Sequence, residues 1–252
     1  LGNFQTIEEV VRNKLLVDEG DPLNALLYNK SIDNIRSLRI FKNVNAKIKD
    51  GTDENLKIID IIVEEQPTGE ISLAAGYGTY GAETGGSISE KNFMGKGVNL
   101  NANLQFSEDS LKGEFVYSKP NFAYTDNTLF TSIRRVSNDY LSIYGYETSD
   151  LGFSIGTTFE QYENLFFSPE IDINFEDLTT NSTASSNIKK QEGSYDDFYF
   201  NYGLSYDLRD SRYKPTSGKF ISFKQGLPII SDGNEFTNSF SYNYYKTLKD
   251  SN

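Results

Sequence analysis

Hydrophobic positions along this chain change their period near residue 70. Before that point Ile7, Val10, Val11 and Leu15 recur at helical spacing, and Leu27, Tyr28, Ile32, Ile35 and Leu38 repeat the pattern over roughly 24–38. Thr6-Ile7-Glu8-Glu9 has the spacing of a capping box, which predicts Thr6 as the cap and Glu9 reaching back to its amide. Asp18-Glu19-Gly20-Asp21-Pro22 breaks the first helix. Two strands follow near 41–49 and 56–64, joined at Asp50-Gly51-Thr52-Asp53. Helix–helix–strand–strand suits two helices layered on a small sheet.

From about residue 70 the period is two. Val98, Leu100, Ala102, Leu104 and Phe106 alternate with Asn99, Asn101, Asn103 and Gln105. Phe198, Phe200, Tyr202, Leu204, Tyr206 and Leu208 form a second series, and Leu151, Phe153, Ile155 and Phe159 a third. Ile171, Ile173 and Phe175 and then Phe236, Phe240, Tyr242 and Tyr244 continue it. About ten strands are expected, many reaching the ~9–11 residues of a tilted membrane strand. Soluble sandwiches also alternate, but their strands are typically ~5–6 residues long. The pattern therefore favours a membrane barrel. Short turns at Tyr80-Gly81-Ala82 and Lys214-Pro215-Thr216-Ser217-Gly218 are assigned to the periplasmic side. The polar stretch 179–194 is expected to be an outer surface loop with little order of its own.

Composition sharpens this picture. The chain has 17 Tyr, 18 Phe and no Trp, yet a mean hydropathy of −0.52. No run approaches the ~18 apolar residues of a membrane helix, whereas a barrel strand needs an apolar residue only at alternate positions. A net charge of −12 argues against nucleic acid as a partner. With no His and no Cys, Ser–His catalysis, the usual zinc sites and disulfides are excluded. No catalytic residue, metal site or cofactor is assigned, and the chain is not read as an enzyme. Leu1-Gly2-Asn3-Phe4 lacks the regions of a signal peptide, so a removed signal or a start within a longer protein is expected.

Three motifs invite chemistry. Gly76-Tyr77-Gly78-Thr79-Tyr80-Gly81 fits the dinucleotide fingerprint, but Ala82-Glu83-Thr84-Gly85-Gly86 cannot open the helix that a pyrophosphate requires. Asp207, Arg209, Asp210 and Arg212 cluster at a strand end, and are read as an ion-pair network on a polar, lumen-facing side. Asp18, Glu19 and Asp21 read as a solvated turn.

In order and spacing the chain resembles the BamA family of outer-membrane barrel assembly proteins. Val11-Arg12, Glu19-Gly20-Asp21 and Ser37-Leu38-Arg39-Ile40-Phe41-Lys42-Asn43-Val44 resemble the family's last POTRA module. Val63-Glu64-Glu65 with Thr68-Gly69 is similar to its junction with the barrel. Residues 71–79 resemble its first barrel strand, and Asn92-Phe93-Met94-Gly95-Lys96-Gly97 its Asn-aromatic-x-Gly-x-Gly turn. Lys119-Pro120-Asn121-Phe122 and Asp207-Leu208-Arg209-Asp210 with Pro215-Thr216-Ser217-Gly218 also have counterparts. The chain departs from the family in carrying Arg39 where a glycine usually follows the second helix, and in lacking the Val-Arg-Gly-aromatic motif and the closing aromatic strand. A partial sequence is expected.

The resemblance implies an α+β POTRA module at 1–66, its first strand largely missing, and the N-terminal part of an antiparallel transmembrane β-barrel at 67–252. It implies an outer-membrane location, with the module in the periplasm, and a role in inserting barrel proteins. Partners would be accessory lipoproteins, unfolded outer-membrane clients and the lipid bilayer. Ile71, Leu73, Ala75, Gly76, Tyr77, Gly78 and Thr79 would form a seam strand that pairs with clients, while Arg12 and Glu19 would contact an accessory lipoprotein. A secretion pore of the same superfamily, a passive porin and a soluble binding module are the alternatives.

Overall fold

A computed structural model describes residues 1–53, 56–78, 81–211, 215–231 and 235–247. These fall into two compact units, one of Leu1–Ser72 with Ser87–Asn101, the other of Leu73–Gly86 with Ala102–Asn252.

In the first unit, helix α1 is only Glu8–Arg12, shorter than its apolar spacing suggests. The expected capping box does not form. Ile7 holds the N-cap position without a side-chain hydrogen bond, because the Thr6 hydroxyl is buried and engaged by Asn92. Helix α2, Ala25–Ser37, is capped by Asn24, whose Oδ1 accepts from the amides of Leu26 (2.9 Å) and Leu27 (3.3 Å). Its Ile32 and Ile35 pack with Ile40, Phe41, Val44 and Val63 into a dry core, and Val10, Val11 and Leu15 press on it from the α1 side. Removing that apolar area from water is what holds the helices on the sheet.

Arg39, after α2, adopts φ +57°, a left-handed conformation that glycine enters without steric cost. The departure at this position therefore leaves the helix ending intact at the expense of strain. Strands β1 (Phe41–Asp50) and β2 (Lys57–Glu65) pair antiparallel, with Val44 opposite Val63 and Ile48 opposite Ile59. Leu1 lies along β2, its amino group donating to the Ile61 carbonyl and its own carbonyl accepting from the Val63 amide, both at 2.9 Å.

The remaining strands make one ten-stranded sheet in plain sequence order. They are β3 (Gly69–Gly78), β4 (Gly81–Phe93), β5 (Val98–Ser107), β6 (Ser110–Lys119), β7 (Thr128–Tyr140), β8 (Tyr146–Tyr162), β9 (Leu165–Thr180), β10 (Gly193–Asp207), β11 (Ser217–Ile230) and β12 (Thr237–Lys246). The fingerprint glycines Gly76, Gly78 and Gly81 lie in β3 and β4, with no helix following, so the nucleotide reading has no structural basis.

Register explains the two-residue period. Phe115, Ile133, Phe153, Ile173 and Phe198 stand opposite one another across five strands, and Leu204, Phe223 and Phe240 across three. One residue along, the rows are Glu114, Arg134, Gly152, Asn174 and Asp197, and Ser205, Ser222 and Ser241. Since side chains alternate across a strand, one face is apolar and aromatic and the other polar. On the apolar face Phe153 meets Phe175, Phe159 meets Phe167, and Tyr202 meets Phe223, all edge-on at 5.7–6.5 Å between ring centroids.

Two loop expectations are corrected. Strand β9 runs to Thr180, and residues 181–192 have an order of their own. They hold a short helix, Ser186–Lys189, with Ser185 as its cap. The Asn181 side chain donates to the Leu141 carbonyl at 2.9 Å, and Ala184 is buried. This polar stretch is organised because its Asn and Ser side chains satisfy nearby backbone groups. Strand alternation also places the β3–β4 connection at the same end of the sheet as 181–192, opposite the turn at 208–216. The two short turns assigned to one side therefore lie at opposite ends; Thr79 and Tyr80 themselves are outside the described residues.

Candidate functional site

Strand β3 is one of the two end strands of the sheet among the described residues, β12 being the other, and it pairs with β4. Its odd positions are apolar and open: Ile71 is 72% exposed, Leu73 85% and Tyr77 87%, and Ala75 is exposed with them. Its even positions are small, Ser72, Ala74, Gly76 and Gly78. A Cβ built on Gly76 would meet nothing within 4 Å, so this glycine is not required by packing. What it contributes is weaker strand order, since glycine loses the most conformational freedom on pairing. Of the expected seam residues, Ile71, Leu73, Ala75, Gly76, Tyr77 and Gly78 lie on this edge strand, and Thr79 lies outside the described residues.

Arg12 and Glu19 come together. Arg12 Nη1 donates to Glu19 Oε1 at 2.9 Å, and Arg12 Nε to Glu8 Oε1 at 2.6 Å. All three side chains are more than half exposed, so the cluster adds little stability and leaves its charges available. Glu8 was legible as a partner from its i,i+4 spacing to Arg12.

The strand-end charge cluster separates into two arrangements. Arg209 makes a two-point contact with Asp207, Nε to Oδ1 and Nη2 to Oδ2 both at 2.8 Å, and lies 4.8 Å from the Phe220 ring centroid. Asp210 instead organises the β10–β11 turn. It accepts from the amides of Ser211, Thr216 and Ser217 at 2.9–3.1 Å and from the Thr216 hydroxyl. Those hydrogen bonds, the Thr216 hydroxyl's first, hold its carboxyl down at about 2. Arg212 lies outside the described residues.

Another polar cluster was not read from the chain. Arg134 on β7 reaches across β8 to β9, donating to Asp172 Oδ2 at 3.0 Å and Oδ1 at 3.2 Å and also to Asn174. Asn174 donates in turn to Asp172 at 2.8 Å, and Asp150 stands 3.8 Å from Arg134 Nε. The crossing depends on Gly152, directly between Arg134 and Asn174 in register, where a Cβ would come within 2.6 Å of the guanidinium carbon. Alternation places all of these residues on the polar face, but only the cross-strand register brings them together. No group of acidic residues suited to a metal ion occurs among the described residues.

The model of the Omp85 superfamily domain matches residues 92–252. A putative outer membrane protein assembly factor of Treponema pallidum is 24% identical over 98% of the chain. The outer membrane protein assembly factor BamA of Nitratidesulfovibrio vulgaris is 26% identical over 92% of it. The chain spans 35% and 30% of the length of these two relatives. Among solved structures, BamA from Haemophilus ducreyi lacking POTRA domains 1–3 superposes with a TM-score of 0.74 at 20% identity, covering 96% of this chain and 49% of that one.

Proposed function

The chain belongs to the Omp85 superfamily, a non-enzymatic family of the outer membrane, and from that premise we propose that it is part of an assembly factor that inserts β-barrel proteins there. Residues 1–66 serve as its periplasmic POTRA module and 67–252 as the N-terminal part of its barrel. The observation that carries the reading is the ten-stranded antiparallel sheet in sequence order with one apolar, aromatic face, whose first strand β3 exposes Ile71, Leu73, Ala75 and Tyr77 on one side.

Unpaired amides and carbonyls on a sheet edge are costly in lipid, where no water is available to satisfy them. An incoming client strand satisfies them by β-augmentation, and its alternate side chains then share the apolar face of the sheet. Gly76 and Gly78 keep β3 weakly ordered, which suits a seam that must open and reclose. The polar face, with Arg134–Asp172 and Arg209–Asp207, is turned to the lumen. The exposed Arg12–Glu19–Glu8 cluster meets an accessory lipoprotein, and charge reversal of Glu19 abolishes that contact.

Photo-crosslinkers placed at Leu73, Ala75 and Tyr77 in the full-length protein test this in cells. Nascent outer-membrane proteins are the expected products. Trapping of a single dedicated secreted partner, or of the barrel's own last strand alone, contradicts the assembly role.

A further inference from the structure

We propose that the turn formed by residues 92–97 is a docking element for the N-terminal segment 4–10, so that the β4–β5 turn moves as part of the N-terminal module. This inference stands independently of the assembly function.

The turn carries three left-handed residues, Met94 at φ +54°, Gly95 at +70° and Gly97 at +63°. Conformation alone does not demand glycine here, because Met94 accepts the same backbone geometry with its side chain 71% exposed. The two glycines sit where the turn faces the N-terminal segment. A Cβ on Gly95 would land on the Gln5 carbonyl, and one on Gly97 would lie 3.1 Å from Val10 Cγ1. Close approach excludes a side chain at Gly95 and crowds one at Gly97.

Hydrogen bonds cross the same contact. The Ile7 amide donates to the Gly95 carbonyl at 2.9 Å. Asn92 uses its side-chain amide twice: Oδ1 accepts from the Gly97 amide and closes the turn, while Nδ2 donates to the buried Thr6 hydroxyl, both at 2.8 Å.

Each side is also braced by a carboxylate. Glu65 of β2 accepts from the amides of Phe4, Gln5 and Thr6 at 2.6–3.2 Å and so shapes the segment. Glu90 of β4 accepts from the Asn92 amide at 2.7 Å and from the Thr68 hydroxyl, shaping the turn. Preorganised on both sides, the contact loses little entropy when it closes. Residues 87–101 cluster with the N-terminal module rather than with the rest of the sheet. A displacement of the module is thereby carried along the chain into β4, the neighbour of the edge strand β3.

Hydrogen exchange on the full-length protein in lipid nanodiscs tests the coupling. Thr6→Val removes the acceptor for Asn92 but leaves the turn's own closing bond intact. Exchange at residues 92–97 should rise about tenfold, the loss expected for one buried hydrogen bond, with β8 and β9 unchanged. Thr6→Ser, which keeps the hydroxyl, should stay within about twofold of the parent protein. Combined with Asn92→Ala, which also removes the turn's closing bond, Thr6→Val should loosen residues 92–97 no further than Asn92→Ala does alone. A Thr6→Val protein that exchanges faster only at residues 4–7, additive effects in the double variant, or a Thr6→Ser protein as loose as Thr6→Val would each overturn the proposal.

Discussion

The N-terminal module and the ten-stranded sheet differ in where they put their large apolar side chains. In the module the most enclosed side chains are Ile35 and Ile40, at 0% and 2% exposure. In the sheet, Ser154, Asp172 and Asp207 are buried, while Phe240 and Tyr244 stand 69% and 63% exposed. The same alphabet of apolar residues is thus used inward in one region and outward in the other. The difference lies in the solvent each region is built for. Water drives Ile35 into a core, whereas a lipid tail is as apolar as Phe240 and gives it no reason to hide. The polar face of the sheet is held by hydrogen-bonded rows such as Arg134–Asp172–Asn174.

The largest test of this contrast is a pair of truncations. Ile35→Ala should destabilise the module by about 4 kcal/mol, combining lost transfer energy with an unfilled cavity. Ile155→Ala, at a residue 54% exposed on the apolar face, should cost about 2 kcal/mol in a bilayer, because lipid refills the space and only the transfer term remains. Denaturant unfolding of each variant in lipid measures both. Equal costs would mean that protein, not lipid, packs on that face.

Next in size is the polar face. Arg134→Met leaves Asp172 with Asn174 as a partner but without its cation, and should cost about 2 kcal/mol in the same unfolding measurement. Gly152→Ala should reproduce part of that loss by displacing the guanidinium. A neutral Arg134→Met would show the row to be incidental to the sheet.

Smaller still is the strain after α2. Arg39→Gly should stabilise the module by about 0.5–1 kcal/mol, since the left-handed penalty exceeds the entropy that glycine loses on folding. A loss of stability would show that the Arg39 side chain contributes more than its backbone costs.

The weakest effect concerns pH. The Asp210 carboxyl is lowered from 3.8 to about 2, so its stabilising contribution is complete above pH 4 and disappears as pH falls from about 4 to 2. Exchange of the Thr216 and Ser217 amides, corrected for the intrinsic pH dependence of exchange, should accelerate over that window.

Much of this architecture was legible in the chain. The switch from a helical to a two-residue period anticipated helices with two strands followed by a long run of strands, and about ten of these were expected where ten pair among the described residues. Ile32, Ile35 and Leu38 marked the inner face of α2 because that helix has one dry side. What escaped depended on partners distant in sequence. Thr6 had cap spacing, yet its hydroxyl is taken by Asn92, 86 positions away. Arg134 and Asp172 each read as polar-face residues, but only register carries one across Gly152 to the other. Asp207, Arg209 and Asp210 looked like one network, although the turn captures Asp210 for its own amides. Residues 181–192 looked unstructured because their order comes from side-chain bonds to backbone rather than from apolar spacing.

Which face of the sheet meets lipid is decided by neighbouring residues at one depth. Phe223 stands in the row with Leu204 and Phe240, and Ser222 in the row with Ser205 and Ser241. Tryptophan introduced at each position in turn, in vesicles with brominated acyl chains, reports contact with lipid as quenching beyond that of the parent protein. The account predicts strong quenching for Phe223→Trp and little for Ser222→Trp. Equal quenching at both, or quenching confined to Ser222→Trp, would contradict it.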